Sequence, residues 1–531
     1  MSTRRRPLPA EPLLRGALFT LRRRCGKASC HCAQGEPHES PALAYPAAGR
    51  TKTLTLTEAD VPEVAAALAP LRRGQGRAGC PGAGAAGGAA GSARRRAVAP
   101  VNAADVAWAA VLGTAEQAFT APSWVLFANL VQAWVCCPTR RTITGMLTLI
   151  DPAERACHDA YHRLVRAGAW SMTACWSALA TLAVARFAAT GAVVLQVDDT
   201  LFHKSGRRVD GAGSFRDAVA STGARIVYAH GLNLVVVTLR VHPPWGGEPL
   251  GLPVNVRLFR KGGPTHAQLV QEMIAELSGW LPERSFILCG DGAYATLAGS
   301  GLPRTHVISR MRRDAALFEP APPRTGRRGR PAKKGARLPT PAAQATAAPD
   351  KDWTRASINR RGRTTDVDLL TRAVLWYAVK PDQQVLLVIV RDPDRKERDD
   401  FFFTTDLDAD PADVVTEYHS RWAIEDTFRA VKQHLGGQQP QTWKGAGPER
   451  AAALSFWIYT AIWCWYIPTH GHAPRWPTRP WYPNKRTPSF PDALAELRTT
   501  LWRQRTNAIS GQQQLTPQIL DMLIDTLARA A

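Results

Sequence analysis

Residues 418–432 read Y-H-S-R-W-A-I-E-D-T-F-R-A-V-K and carry the most specific pattern in the chain. Laid out as a helix at about 100° per residue, the stretch brings four polar side chains to one narrow face, with an apolar stripe beside it. A carboxylate flanked by cationic and hydroxyl donors suits a metal ion with a phosphodiester laid across it. The polar residues are Tyr418, Arg421, Glu425 and Lys432, and the stripe is Ile424, Phe428, Val431 and Leu435.

The spacing of these four polar residues resembles the Tyr-Arg-Glu-Lys signature of a group of bacterial insertion-sequence DDE transposases. The resemblance implies that Glu425 is the third metal-binding carboxylate of a ribonuclease-H-like core. It also implies that Tyr418, Arg421 and Lys432 hold DNA phosphates. The alternative from the residues alone is an ordinary amphipathic helix with an Arg421–Glu425 ion pair at i,i+4.

Two further carboxylate positions follow apolar, strand-like runs. Residues 192–200 read A-V-V-L-Q-V-D-D-T, and residues 285–294 read S-F-I-L-C-G-D-G-A-Y. The resemblance assigns the second metal ligand to Asp291 and favours Asp199 as the first. Asp198 stays open, because alternate strand residues face opposite ways and the register is unknown. Without the resemblance, a helix cap and a turn before glycine explain these aspartates equally well.

The resemblance therefore predicts an α+β multidomain chain with a ribonuclease-H-like mixed sheet. Asp199, Asp291 and Glu425 would hold two Mg²⁺ (or Mn²⁺) ions about 4 Å apart for cleavage and strand transfer at the ends of an insertion sequence. The implied partners are double-stranded DNA, as transposon ends and target, and a second copy of the chain in the DNA complex. Two alternatives remain: a domesticated or inactive transposase acting as a DNA-binding regulator, and a plain metal-dependent nuclease.

Composition agrees with a polyanionic partner. The 531 residues carry a formal net charge of +23, and arginine favours forked contacts to phosphate. Ten scattered cysteines suggest a reducing compartment, and the N-terminus shows no signal-peptide pattern. We expect a cytoplasmic, nucleoid-associated bacterial protein without a membrane span. The apolar run at 451–468 is predicted to be a core helix behind the signature helix.

Residues 1–70 are predicted to form a small module. Cys25, Cys30, Cys32 and His38 offer three thiolates and an imidazole, a donor set that suits one structural Zn²⁺. The run resembles a short bacterial module carrying C-G-K-P-x-C-x-C and then His-Gly-Pro, but Glu39 and the residues after it depart from that ending. His38 is therefore the least secure ligand, and reduced surface cysteines are the alternative.

The remaining boundaries follow composition and hydrophobic pattern. Residues 71–100 form a Gly/Ala-rich flexible linker, and 101–190 an all-helical, DNA-binding domain. Residues 191–310 hold the first part of the catalytic core, with strands at 226–241 and 252–259 and a helix from residue 266 to 281. A basic loop and a β-rich insertion occupy 311–400, the end of the core with the signature helix occupies 401–470, and a basic region fills 471–531.

Overall fold

The computed structural model describes residues 17–23, 30, 32, 35–47, 50–58, 61, 103–152, 154–323, 332–474, 476–477, 480, 482–509 and 517–529. The chain divides into two compact units, Met1–Ala93 and Arg94–Ala531. Three predictions lie wholly or partly outside the described residues: Cys25 as a zinc ligand, the linker at 71–100, and residues 324–331 of the basic loop.

The described part of the first unit is an antiparallel meander. It consists of β1 (Ala17–Arg23), β2 (His38–Ala47) and β3 (Arg50–Thr55), in the order β1-β2-β3. Residue 23, the last of β1, lies opposite His38, the first residue of β2. The pairing of the two strands therefore extends to the segment that connects them. The unit's small apolar interior includes Ala42 and Leu43.

The second unit is built on one mixed sheet. Its first strands are β4 (Val193–His203), β5 (Gly213–Arg216), β6 (Tyr228–Val241), β7 (Leu250–Phe259), β8 (Phe286–Cys289) and β9 (Thr305–Arg310). β4 pairs antiparallel with β6 and parallel with β8, and β8 pairs parallel with β9. The strands predicted from the apolar runs before Asp198 and Asp291, and at 226–241 and 252–259, are confirmed.

The β-rich insertion continues this same sheet. After a two-stranded ribbon of β10 (Leu317–Phe318) and β11 (Arg337–Leu338) come β12 (Thr354–Arg360), β13 (Arg363–Val374), β14 (Val385–Arg391) and β15 (Asp400–Thr404). The strand order is β12-β13-β14-β15-β9-β8-β4-β6-β5, with β7 on β6. The insertion therefore lengthens the sheet beyond β9, because β15 pairs with β9.

Helices precede the sheet and cover its faces. Before β4 come α1 (Ala103–Gly113), α2 (Ala121–Cys136), α3 (Ile143–Leu147), α4 (His158–Ala167) and α5 (Met172–Phe187), as predicted for an all-helical segment. After it come α6 (His266–Trp280), α7 (Pro341–Ala347), α8 (Pro411–Ser420), α9 (Ala423–Gln433), α10 (Gly447–His470), α11 (Phe490–Ile509) and α12 (Pro517–Arg529). A capping box of Thr265 and Gln268 starts α6 where the sequence predicts it.

Helix α10 is the apolar run at 451–468, and it lies in the core as predicted. Its side chains are buried over most of its length, and Phe456 packs edge-on against Phe428 of α9. In the described part of the chain, no single helix is long and apolar enough to cross a membrane. The bent pair His158–Ala167 and Met172–Phe187 passes that test by length and composition alone.

The prediction of one continuous helix over 418–432 is wrong. α8 ends at Ser420 and α9 begins at Ala423. Arg421 and Trp422 keep right-handed backbone angles, but their hydrogen bonds tighten to three-residue steps, as from Arg421 N to Tyr418 O at 3.1 Å. Tertiary contacts explain the break, because the Arg421 side chain turns inward to Asp198 while Trp422 faces outward beneath Arg361.

Candidate active site

The side chains of the two adjacent aspartates of β4 lie on opposite faces of the sheet. Asp198 accepts a hydrogen bond from Arg421 Nη1 at 2.7 Å, on the face that α8 and α9 cover. Asp199 accepts one from Asn233 Nδ2 at 2.8 Å, and Asn233 Oδ1 lies 2.8 Å from His266 Nε2 of α6. The sequence favoured Asp199 as first ligand, but the geometry places Asp198 on the face that carries Glu425.

Asp291 lies just beyond the end of β8. In the parallel pairing of β4 with β8, Gln196 is opposite Cys289, so continuing that register by two residues brings Asp291 level with Asp198. The Asp291 carboxylate accepts a hydrogen bond from Ala293 N at 2.9 Å and caps the 3₁₀ turn that follows. Asp291 is thus both a turn former and a neighbour of Asp198.

Arg421 joins the carboxylates of this face. Its side chain is only 10% exposed, and its Nη2 lies 3.6 Å from Glu425 Oε1. Burial lowers the pKa of Arg421, but Asp198, Tyr418 and Glu425 more than offset this, so its net pKa is raised. Arg421 Nε is buried and has no hydrogen-bond partner among the described residues. One guanidinium therefore holds two of the proposed metal ligands near each other.

The carboxylates carry more negative charge than this guanidinium relieves. Burial raises the pKa of Asp198 to about 6, against the opposing effect of Arg421. Burial also raises the pKa of Glu425, with Arg421 again opposing. Buried oxygen donors of this kind suit a hard divalent cation. In the described residues, Asp198, Asp291 and Glu425 share a face but do not bring three ligand oxygens within 4.8 Å of one another.

A basic cleft opens beside these carboxylates. It has a volume of about 680 Å³, and we call it the arginine cleft. Five arginines, Arg310, Arg360, Arg361, Arg363 and Arg421, line it together with the aromatic residues Tyr418, His419 and Trp422 and with Glu248, Thr365 and Asp400. Arginines interleaved with aromatic faces suit a phosphate backbone with its bases.

The hairpin between β12 and β13 supplies most of this charge, and the sequence interpretation missed it. Arg361 sits at φ 54° beside Gly362 at φ 75°, and Gly362 N donates to Asn359 Oδ1 at 2.8 Å. The Arg361 guanidinium lies 3.9 Å from the centre of the Trp422 ring. The signal was the run N-R-R-G-R at 359–363, which combines a hairpin turn with three arginines.

The predicted polar face divides between two places. Tyr418 packs against Phe402, with ring centres 4.6 Å apart, and lines the arginine cleft. Lys432 is half-buried at the far end of α9; burial lowers its pKa, and the charge of Asp217 opposes that effect. The break after α8 therefore leaves Tyr418 and Arg421 at the cleft and Lys432 toward Asp217.

The described cysteines of the first unit gather around His38. The sulfur atoms of Cys30 and Cys32 and a ring nitrogen of His38 all lie within 4.8 Å of one another. Cys30 Sγ is 3.0 Å from His38 Nε2, and Cys32 is buried. The structure thus brings together three of the four predicted zinc ligands, including the least secure one.

One family model of endonucleases matches part of the chain. Residues 116–367 match the family model described as DDE superfamily endonuclease, a stretch that contains Asp198, Asp199 and Asp291 and ends before Glu425. This match supports an endonuclease, and the mixed sheet with its helices fits a ribonuclease-H-like fold. None of the curated proteins searched matches the chain.

Among solved structures, the chain is similar to a piggyBac transposase synaptic complex with hairpin DNA, determined by cryo-EM. The likeness covers 80% of this chain and 85% of that chain, at 10% sequence identity and a TM-score of 0.35.

Replacing Arg421 with Met should destabilise the protein in a pH-dependent way when divalent cations are absent. The pKa of Asp198 is raised to about 6, so its ionised form is disfavoured in the folded chain. Because Arg421 lowers this pKa, its loss should disfavour the ionised form further. The free energy of unfolding should fall by about 3 kcal/mol at alkaline pH, as when one partner of a buried ion pair is removed. This loss should shrink at about pH 5, where folded Asp198 is mostly protonated.

Urea unfolding of Arg421→Met at about pH 5 and pH 8 measures this difference. Arg503→Met is the matched control, because the Arg503–Asp521 pair is more than half exposed and should leave the midpoint unchanged. An equal loss at both pH values would mean that Arg421 acts through packing alone.

Proposed function

We propose that this protein is a DNA transposase, which cleaves the ends of a mobile element and joins them to target DNA. The observation that carries the proposal is the position of Arg421, in contact with Asp198 and Glu425 and on the rim of the arginine cleft. Acidic ligands for metal and basic groups for phosphate thus adjoin, as phosphodiester cleavage requires. The match to a DDE superfamily endonuclease supports the nuclease part of the proposal.

Asp198, Asp291 and Glu425 are the residues that would hold Mg²⁺ or Mn²⁺, as two ions. Such ions, when bound, activate a water or a DNA 3′-hydroxyl and stabilise the leaving oxygen. Asp198 replaces Asp199 in this set because it shares the face of Arg421 and Glu425. The hydrogen bond of Asp199 to Asn233 suits a positioning role on the opposite face.

The arginine cleft would bind the DNA backbone next to the cut. Arg421 is already paired with carboxylates, so it holds the site's shape, whereas Arg361 and Arg363 form no ion pair with a carboxylate among the described residues. These two exposed arginines are therefore free to neutralise phosphates. Binding of two element ends by a homodimer is part of the same proposal and follows from the family resemblance.

We further propose that the first unit binds one Zn²⁺ through Cys30, Cys32 and His38, with Cys25 as the fourth ligand. Two thiolates and an imidazole within 4.8 Å of one another fit a tetrahedral site. His38 begins β2 and the cysteines lie in the β1–β2 connection, so the ion would fix that connection to the meander.

Asp291→Asn and Glu425→Gln should each abolish metal-dependent cleavage of DNA that carries the element's ends. They should leave DNA affinity nearly unchanged, because carboxylates serve metal whereas arginines serve phosphate. Strand cleavage and fluorescence anisotropy measure the two quantities. Cleavage at a tenth of the normal rate or more would contradict the assignment. Cleavage without strand transfer by the unaltered protein would indicate a plain nuclease, and binding without cleavage a regulator.

Asp198→Asn and Asp199→Asn should separate the two aspartates. We expect Asp198→Asn to abolish cleavage at every Mg²⁺ or Mn²⁺ concentration, because a ligand is lost. Asp199→Asn should retain measurable cleavage, since the side chain faces Asn233. The reverse pattern in the cleavage assay would restore Asp199 as the ligand, as the sequence resemblance favoured.

The purified full-length chain should contain about one Zn²⁺, measured by elemental mass spectrometry. Cys32→Ser should remove it, whereas Cys157→Ser, at an exposed cysteine in the other unit, should not. Cobalt substitution should give the thiolate charge-transfer absorption of a sulfur-bound ion. A metal-free chain that loses no structure under chelator would contradict the zinc proposal and leave the transposase proposal standing.

A further inference from the structure

The loop between β5 and β6 and the first residue of β6 expose apolar side chains to solvent. Val219, Ile226 and Tyr228 are 91%, 58% and 66% exposed. We call residues 213–231 the β5–β6 hairpin. Scattered surface apolar residues are ordinary, but three that cluster on one hairpin indicate a contact surface.

Hydrogen bonds shape the loop of this hairpin. Asp217 is buried and accepts from Val219 N at 3.0 Å and from Ala220 N at 3.1 Å. Its other carboxylate oxygen lies 2.8 Å from His203 Nε2 of β4. Ser221 and the backbone of Val227 exchange hydrogen bonds across the loop. The apolar side chains are thus presented in a preorganised loop.

Positive charge surrounds these side chains. Arg207, Arg208, Arg216 and Arg225 are all exposed, and none pairs with a carboxylate among the residues that the structure describes. The two nearby carboxylates are engaged, Asp210 with Lys444 at 3.6 Å and Asp217 with His203. An apolar tip between unpaired arginines complements a DNA groove, whose phosphates flank an apolar sugar and base surface.

Strand β6 links the hairpin to the strand that carries Asp198. Val236 of β6 is opposite Asp198, and Tyr228 precedes Val236 by eight residues along β6, a distance of about 26 Å or about eight base pairs. The segment after Glu425 runs beside β4 in the same direction, since His203 N donates to Gln438 Oε1 at 2.7 Å. Lys432 of α9 lies close enough to Asp217 of the hairpin for their charges to interact.

We propose that the β5–β6 hairpin is a second DNA contact, which binds double-stranded DNA about eight base pairs from the carboxylates through Arg216, Arg225 and its exposed apolar tip. This inference rests on the proposed function, since it deepens how the same protein holds its DNA. The duplex would follow β6, with its backbone near Lys432 on the way to the hairpin.

The test compares affinities for two duplexes in buffer without divalent cations. A duplex of about 30 base pairs reaches from the cleft to the hairpin, whereas a stem-loop of about 6 base pairs, about 20 Å long, cannot. Arg216→Ala/Arg225→Ala and Val219→Ser/Ile226→Ser should each weaken binding of the long duplex about tenfold. Both should change binding of the stem-loop less than twofold.

The salt dependence gives a second readout. Removing both arginines should flatten the slope of log K against log[salt] by about 2, while Arg216→Lys/Arg225→Lys should preserve it. Leu407→Ser is the apolar control, since Leu407 is exposed in a turn after β15. All variants should share the denaturation midpoint of the unaltered chain, because the replaced side chains are exposed.

Two outcomes would overturn the inference. Unchanged affinity for the long duplex would exclude a DNA contact, and a change in the mass of the protein in solution without a change in affinity would make the hairpin a contact between copies. Neither outcome depends on catalysis. If the unaltered protein binds DNA but does not cleave it, the transposase proposal fails while the binding result stands; if only the binding result is negative, the hairpin proposal alone fails.

Discussion

The inward turn of Arg421 decides the architecture around the site. A buried guanidinium is costly unless carboxylates compensate it, and here Asp198 of the central strand and Glu425 of α9 do so. The same residue sits where α8 ends, so charge compensation and helix break coincide. The arrangement fixes β4 against the α8–α9 junction and sets which strand residues face the cleft.

Around this junction, one continuous apolar core joins helices that are far apart in sequence. Two indole N–H groups link these distant segments by hydrogen bonds. Trp134 Nε1 donates to Leu435 O at 2.8 Å, and Trp457 Nε1 donates to Cys175 O at 3.0 Å. The helices before β4 therefore share their interior with the sheet and α10. Packing of this kind holds the carboxylate-bearing elements rigidly, as a preorganised site requires.

Local sequence patterns predicted what local physics determines. The apolar runs before Asp198 and Asp291 predicted strands, and the pattern from residue 266 predicted the helix α6. The faces of Asp198 and Asp199 could not be predicted, because they depend on pairing with β6 and β8. The break at Arg421 was equally hidden, since its cause lies 223 residues away in Asp198. The extension of the sheet could not be predicted either, because it depends on the pairing of β15 with β9.

The order of the three carboxylates along the chain has a consequence for synthesis. Asp198 lies on β4, and Asp291 lies just after β8, which pairs with β4. The helix bearing Glu425 begins only at Ala423, long after β9 ends at Arg310. A nascent chain grows from its N-terminus, and its domains fold as they emerge from the ribosome. Translation therefore delivers the hairpin of Arg361 before Glu425, so under the proposed function an unfinished chain would hold DNA before it can cut it.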